Sequence, residues 1–343
     1  MTLPSVAPVD TNAAGALRAT IDGKAKPLGA LGRIETLAVQ LGLIAGGAPP
    51  AYDKALLLVF AGDHGLTAEG VSAYPASVTQ AMVATFLAGK ASANAFARAV
   101  GADLKVVDAG VDADLPAHPD LLAQKVRRGT RNAAIESALT ADEVTQALER
   151  GAAIARQAVA DGYEVLALGE MGIGNTASAA LIMHRLADVP LDQCVGLGAG
   201  HDAEGLARKQ AAIECAAARS GATKPQEVLA QFGGLEIAMI AGAVIGAASA
   251  RIPVLIDGFI VSAAALVAVA LVPEVADYCV FCHRSAEQGH ALMLQRLAVE
   301  PLLTLDLRLG EGTGALLALP LVRAASRLLS DVASLDDVLS GRL

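Results

Sequence analysis

Six short runs rich in Val, Ile and Leu, each separated from the next by a longer and mostly Ala-rich stretch, constrain this chain more than any other feature. They are ALLLVFA (55–61), LKVVD (104–108), EVLAL (164–168), IPVLI (252–256), YCVFC (278–282) and LLTLDLRL (302–309). A strand that is apolar along its whole length is buried on both faces, and parallel neighbours need long crossovers that helices supply. The pattern predicts an α/β fold with three layers, a mostly parallel sheet flanked by helices in a Rossmann-like arrangement. With 343 residues and 54% apolar composition, the chain can bury one large core.

The ends read differently. Helical patterns near 12–23 and 31–44 are joined by Lys26-Pro27-Leu28-Gly29, a linker-like Gly46-Gly47-Ala48-Pro49-Pro50 follows, and 315–329 is helical again. These ends are expected to pack as a small helical subdomain, residues 1–50 completed by about 325–343, against an α/β catalytic domain over 51–324.

Composition removes several functions. Six Phe, four Tyr and no Trp make a poor stacking platform for single-stranded nucleic acid, and a net charge of −9 disfavours a polyanionic partner. The apolar stretches 234–250 and 258–272 fall short of the roughly 20 residues a membrane span requires, and the first carries Glu236, so buried helices are expected rather than membrane insertion. Four cysteines, with no basic stretch and apolar run opening the sequence, suggest reduced thiols in the cytoplasm. Cys279-x-x-Cys282 with His283 and His290 does not match a structural zinc spacing, and no metal is expected.

The residues that follow the apolar runs carry the chemistry. Gly62-Asp63-His64-Gly65, Asp108-Ala109-Gly110, GEMGIGNT (169–176), Asp257-Gly258, His283-Arg284-Ser285 and GEGTG (310–314) would all stand at strand ends, where open parallel sheets bind ligands. In GEMGIGNT, Gly172 and Gly174 allow close backbone approach ahead of a helix start that favours an anion, with Asn175 beside them, although a tight structural turn would read the same way. A second glycine cluster, 196–200, includes Gly200 and precedes Lys209, which could bring a point charge to a phosphate or simply stand solvated on a helix. Glu311, set between glycines after Leu309 and Gly310, would have its pKa raised by apolar surroundings, as suits a general base; a carboxylate favoured by a helix dipole is the plainer alternative. Glu170 is a second acid at a comparable position, and one of the two could hold substrate while the other takes a proton. HRSAEQGH (283–290) lacks a nucleophile elbow and is expected to serve structure or subunit contact, and Asp63 to cap the turn after it.

Six segments taken in order, KPLGALGRIETLAVQL (26–41), FAGDHGLTAEGVSAYP (60–75), GEMGIGNT, IDGF (256–259), HRSAEQGH and LDLRLGEGTG (305–314), resemble the nicotinate-nucleotide:dimethylbenzimidazole phosphoribosyltransferase family. The resemblance implies a homodimeric enzyme that uses nicotinate mononucleotide and 5,6-dimethylbenzimidazole in cobalamin nucleotide-loop assembly, with no cofactor. It nominates Glu311 as general base, the 170–176 loop and Lys209 as phosphate contacts, and Tyr74, Met82 and Leu309 as part of a benzimidazole pocket.

Overall fold

The computed structural model describes residues 2–196 and 203–342. Its single sheet contains six parallel strands in the order β3-β2-β1-β4-β5-β6. They are β1 (Ala55–Gly62), β2 (Ala102–Gly110), β3 (Leu121–Ala123), β4 (Val165–Met171), β5 (Val254–Ile256) and β6 (Cys279–Phe281). Every residue of β1 is buried, as its unbroken apolar sequence requires.

Side chains of opposite parity along β1 enter two different cores. Leu56, Leu58 and Phe60 pack under the helices Ala141–Ala160, Asn175–Leu186, Leu235–Ser249 and Phe259–Leu271. Leu57 and Val59 face the helices Ala14–Asp22, Arg33–Ile44, Ser92–Val100 and Thr313–Ser330. The helices from the two chain ends therefore share a core with one face of the sheet. Lys24 also fastens them together, its buried ammonium donating to the carbonyls of Leu329 and Val332 at 3.0 and 2.7 Å. No described helix is long and apolar enough to cross a membrane; the two apolar stretches are the 235–249 and 259–271 helices, buried against the sheet.

One strand assigned from sequence needs correction, and one strand was missed. LLTLDLRL forms no strand: it makes one parallel bridge, Leu303 to His283, and its extended course is interrupted at Asp306, whose φ is +54°. Its leucines placed it among the apolar runs, but Leu305 and Leu309 are 52% and 56% exposed, so it lacks the burial on both faces that such a strand has. The sixth strand is instead β3, three half-buried or exposed residues at the sheet edge, too short to stand out in the sequence.

Strand order reverses between β1 and β4, since β2 lies to one side of β1 and β5 to the other side of β4. Crossovers leave that point on opposite faces of the sheet and open a crevice beyond the strand ends.

Candidate functional site

A cavity of about 390 Å³ opens at that crevice. Glu170 at the end of β4, Asp257 after β5, His283 after β6 and Glu311 after the extended 302–309 segment all line it, and all four are at least nine-tenths buried. Tyr74, Val78, Met82 and Leu309 supply apolar wall, and Asn175, Thr176 and Gly310 complete the side nearest β4.

Glu311 reaches its position through unusual backbone. Gly310, Glu311 and Gly312 have φ values of +85°, +64° and +80°, three left-handed residues in succession. The two glycines adopt this freely, and there is no room for anything else: a Cβ at Gly310 would lie 2.1 Å from Glu170 Oε1, and one at Gly312 2.4 Å from Leu57 Cδ1. Glu311 Oε2 accepts from the Ala93 amide at 3.2 Å. Burial raises the affinity of this carboxylate for a proton; the Ala93 hydrogen bond works against that and Asp257 works with it.

Asp257 secures the same loop from below. Its Oδ2 accepts from the Gly312 amide at 3.2 Å and its Oδ1 from the Ala315 amide at 2.9 Å, satisfying donors at the start of the 313–330 helix. His283 Nε2 lies 3.5 Å from Asp257 Oδ1. The imidazole sits flat against Gly314, where a Cβ would come within 1.9 Å of its Cδ2.

Glu170 is pushed up to about 8 by burial, opposed by a hydrogen bond from the Asn175 amide and reinforced by the carboxylates of Glu236, Asp257 and Glu311. It is therefore predominantly protonated at neutral pH, whereas an exposed glutamate would be ionised. One cavity thus holds two buried acids, both with proton affinity raised above that of an ordinary carboxylate.

The side expected from sequence to receive an anion lies along the start of the 175–186 helix. Gly174, with φ +90°, precedes that helix, and Gly172 presses on the Gly62 carbonyl, where a Cβ would fall 2.5 Å away. Both glycines stand behind the lining rather than in it, while their neighbours Ile173 and Asn175 reach the cavity. Lys209 is 1% exposed, which removes the solvated alternative; its ammonium donates to Thr176 Oγ1 and the Gly196 carbonyl, both at 3.0 Å. Burial lowers its proton affinity and the nearby Glu287 partly restores it. Gly200 lies outside the described residues.

Two expectations about neighbouring residues change. His283, Ser285 and Glu287 line the cavity, so the 283–290 segment is part of the site wall and not merely a structural turn. Asp63 does not cap the turn after it but accepts from the Asp112 amide at 2.7 Å. Sequence reasoning also assigned no individual role at the site to Asp257 or Glu236, and took His283 only as part of a structural or subunit-contact segment. Asp257 and His283 were visible as polar residues closing apolar runs, and Glu236 as the lone acid inside an apolar helix.

A family model described as phosphoribosyltransferase matches residues 6–338. The nicotinate-nucleotide–dimethylbenzimidazole phosphoribosyltransferase of Cupriavidus necator is 50% identical over 335 residues, 97% of this chain and 97% of that protein. Its namesake from Dechloromonas aromatica is 51% identical over 331 residues, 95% of each chain. The crystal structure of CobT from Thermus thermophilus superposes with a TM-score of 0.92 at 44% identity, covering 95% of this chain and 98% of that one.

Proposed function

The chain belongs to the phosphoribosyltransferase family, and from that premise we propose that it transfers the phosphoribosyl group of nicotinate mononucleotide to 5,6-dimethylbenzimidazole, releasing nicotinate and forming α-ribazole 5'-phosphate. The observation that carries this reading at the site is a buried carboxylate, Glu311, facing a cavity with an apolar wall on one side and a helix start with Lys209 behind it on the other.

The chemistry follows from the substrates. The pyridinium nitrogen of nicotinate mononucleotide is already cationic, so breaking its bond to the anomeric carbon returns the electron pair to nitrogen and leaves a neutral ring. Positive charge passes to the ribosyl group. The unprotonated nitrogen of the benzimidazole attacks that carbon from the opposite face, which inverts the β-nucleotide to an α-ribotide. As the new bond forms, the proton on the other ring nitrogen goes to Glu311, which must be ionised to receive it and whose burial makes it a stronger base than an exposed glutamate. Glu170, protonated, offers a donor where a second anion would repel the phosphate-bearing substrate. Lys209 and the 173–176 turn hold the phosphate, and Tyr74, Met82 and Leu309 receive the benzimidazole ring. Holding both rings on either side of the ribose supplies much of the acceleration.

This reading puts the enzyme in the cytoplasm, as its cysteines suggest, and makes it a homodimer, as the family resemblance implies; a monomer in sedimentation at micromolar concentration would contradict the latter. The activity itself is tested by incubating purified protein with both substrates, with and without a chelator, and measuring product mass. Because no pyrophosphate leaves, product is expected under both conditions. Product that appears only with added magnesium would overturn the mechanism.

A further inference from the structure

Behind the cavity wall lies a buried pair for which the reaction above has no use. His64 and Glu236 are 2% and 0% exposed, and Nε2 of the histidine stands 2.6 Å from Oε1 of the glutamate. The other ring nitrogen, Nδ1, stands 3.0 Å from Ser178 Oγ in the first turn of the 175–186 helix. Burial disfavours a charged imidazole, yet the carboxylates of Glu236 and Asp63 outweigh it and raise the proton affinity of His64. In that state both ring nitrogens donate, one to Glu236 and one to Ser178.

Backbone has been cleared to admit this pair. A Cβ at Gly62 would lie 2.7 Å from Glu236 Oε2, and one at Gly234 would lie 2.4 Å from His64 Cε1. A Cβ at Gly172 would meet both the Asn175 side-chain nitrogen at 3.3 Å and Glu236 Oε1 at 3.4 Å. The pair thus abuts the turn whose Asn175 donates to Glu170. Replacing a buried ion pair with apolar residues is often harmless to stability, so this one calls for a role beyond holding the fold.

We infer that His64 and Glu236 are positioning residues: through Ser178 and the 172–175 turn they set Asn175, and with it the carboxyl of Glu170, at the cavity edge. The inference rests on the proposed phosphoribosyl transfer, in which Glu170 faces the substrate. The groups facing Glu170 are Asn175 from the helix start, Glu236 from the 235–249 helix, Asp257 after β5 and Glu311 after the 302–309 segment. Removing the charge of Glu236 also lets Glu170 ionise at lower pH.

The test uses Glu236→Gln, which keeps the shape, and Ser178→Ala, which removes a single hydrogen bond, both in the full chain and both checked for folding by circular dichroism. For Glu236→Gln, KM for nicotinate mononucleotide should rise about fivefold or more, and the alkaline limb of kcat/KM should move to lower pH. Ser178→Ala should raise the same KM by a smaller factor with the limb unmoved. Folded variants with unaltered KM and pH profile, even if they melt earlier, would make the pair purely structural and overturn the inference. If Glu236→Gln does not fold, an unchanged KM in Ser178→Ala overturns it alone. If the unmodified protein forms no product, it is the reaction that has been misread; the pair is then judged by the same variants through calorimetric Kd for nicotinate mononucleotide, with the same expected weakening.

Discussion

Two buried glutamates face one cavity, both with proton affinity raised by burial, and each yields a measurement. Glu311→Gln keeps the volume but cannot take a proton, so kcat should fall by about 100-fold or more, the usual contribution of a general base, while fluorescence titration still shows benzimidazole binding. Glu170 contributes a pH dependence to stability. Its folded pKa of about 8 lies above the ordinary value of 4.5, so the native state holds a proton that the unfolded chain has released across that window. The stabilisation is fully present below about 4.5 and is lost as pH rises through about 8. Urea denaturation at pH 5, 7 and 9 should therefore show Glu170→Gln gaining stability relative to the unmodified protein as pH rises. A difference that stays constant with pH would mean Glu170 is ionised throughout.

Between elements, close approach depends on missing side chains. The 141–160 and 235–249 helices cross through Gly151, Gly242 and Gly246; a Cβ at Gly242 would lie 2.1 Å from the Leu148 carbonyl oxygen, which belongs to backbone and cannot step aside. Gly242→Ala should cost about 1–3 kcal/mol of stability by chemical denaturation, although the same change on a free helix surface would help. Such crossings were not legible in the sequence, because a glycine that lets helices touch looks like one that merely tolerates them. The five strands β1, β2, β4, β5 and β6 were legible, since burial on both faces writes itself as a continuous apolar run. LLTLDLRL misled because a Leu-rich run specifies a buried strand only when neighbours bond it and layers cover it. Asp257 shows the same limit at the site: its place after a strand was readable, but its two hydrogen bonds to amides 55 and 58 residues further on depend on the folded path of the chain.

At the scale of the whole molecule, one sheet serves two cores, and the chain ends complete one of them. Leu17, Ile21, Leu37 and Leu41 lie in the cluster that also holds Leu57 and Val59 of β1. A chain lacking residues 1–50 would expose that face of the sheet to water, at about 25 cal/mol for each Å² of apolar surface. It is expected to be insoluble or to lose near-ultraviolet circular dichroism; a folded, monodisperse fragment would instead mark the ends as a separable unit. The sequence could place those helices but not the depth of their contact, because amphipathic patterns report a buried face without naming what buries it.

The left-handed backbone at residue 311 ties these scales together. An L-amino acid with a side chain held in that shape gives up about 1–2 kcal/mol that glycine would not. Glu311→Gly would relieve that strain and, on the proposed mechanism, would also remove the group that takes the proton. Greater stability and the proposed chemistry therefore pull in opposite directions at a single residue.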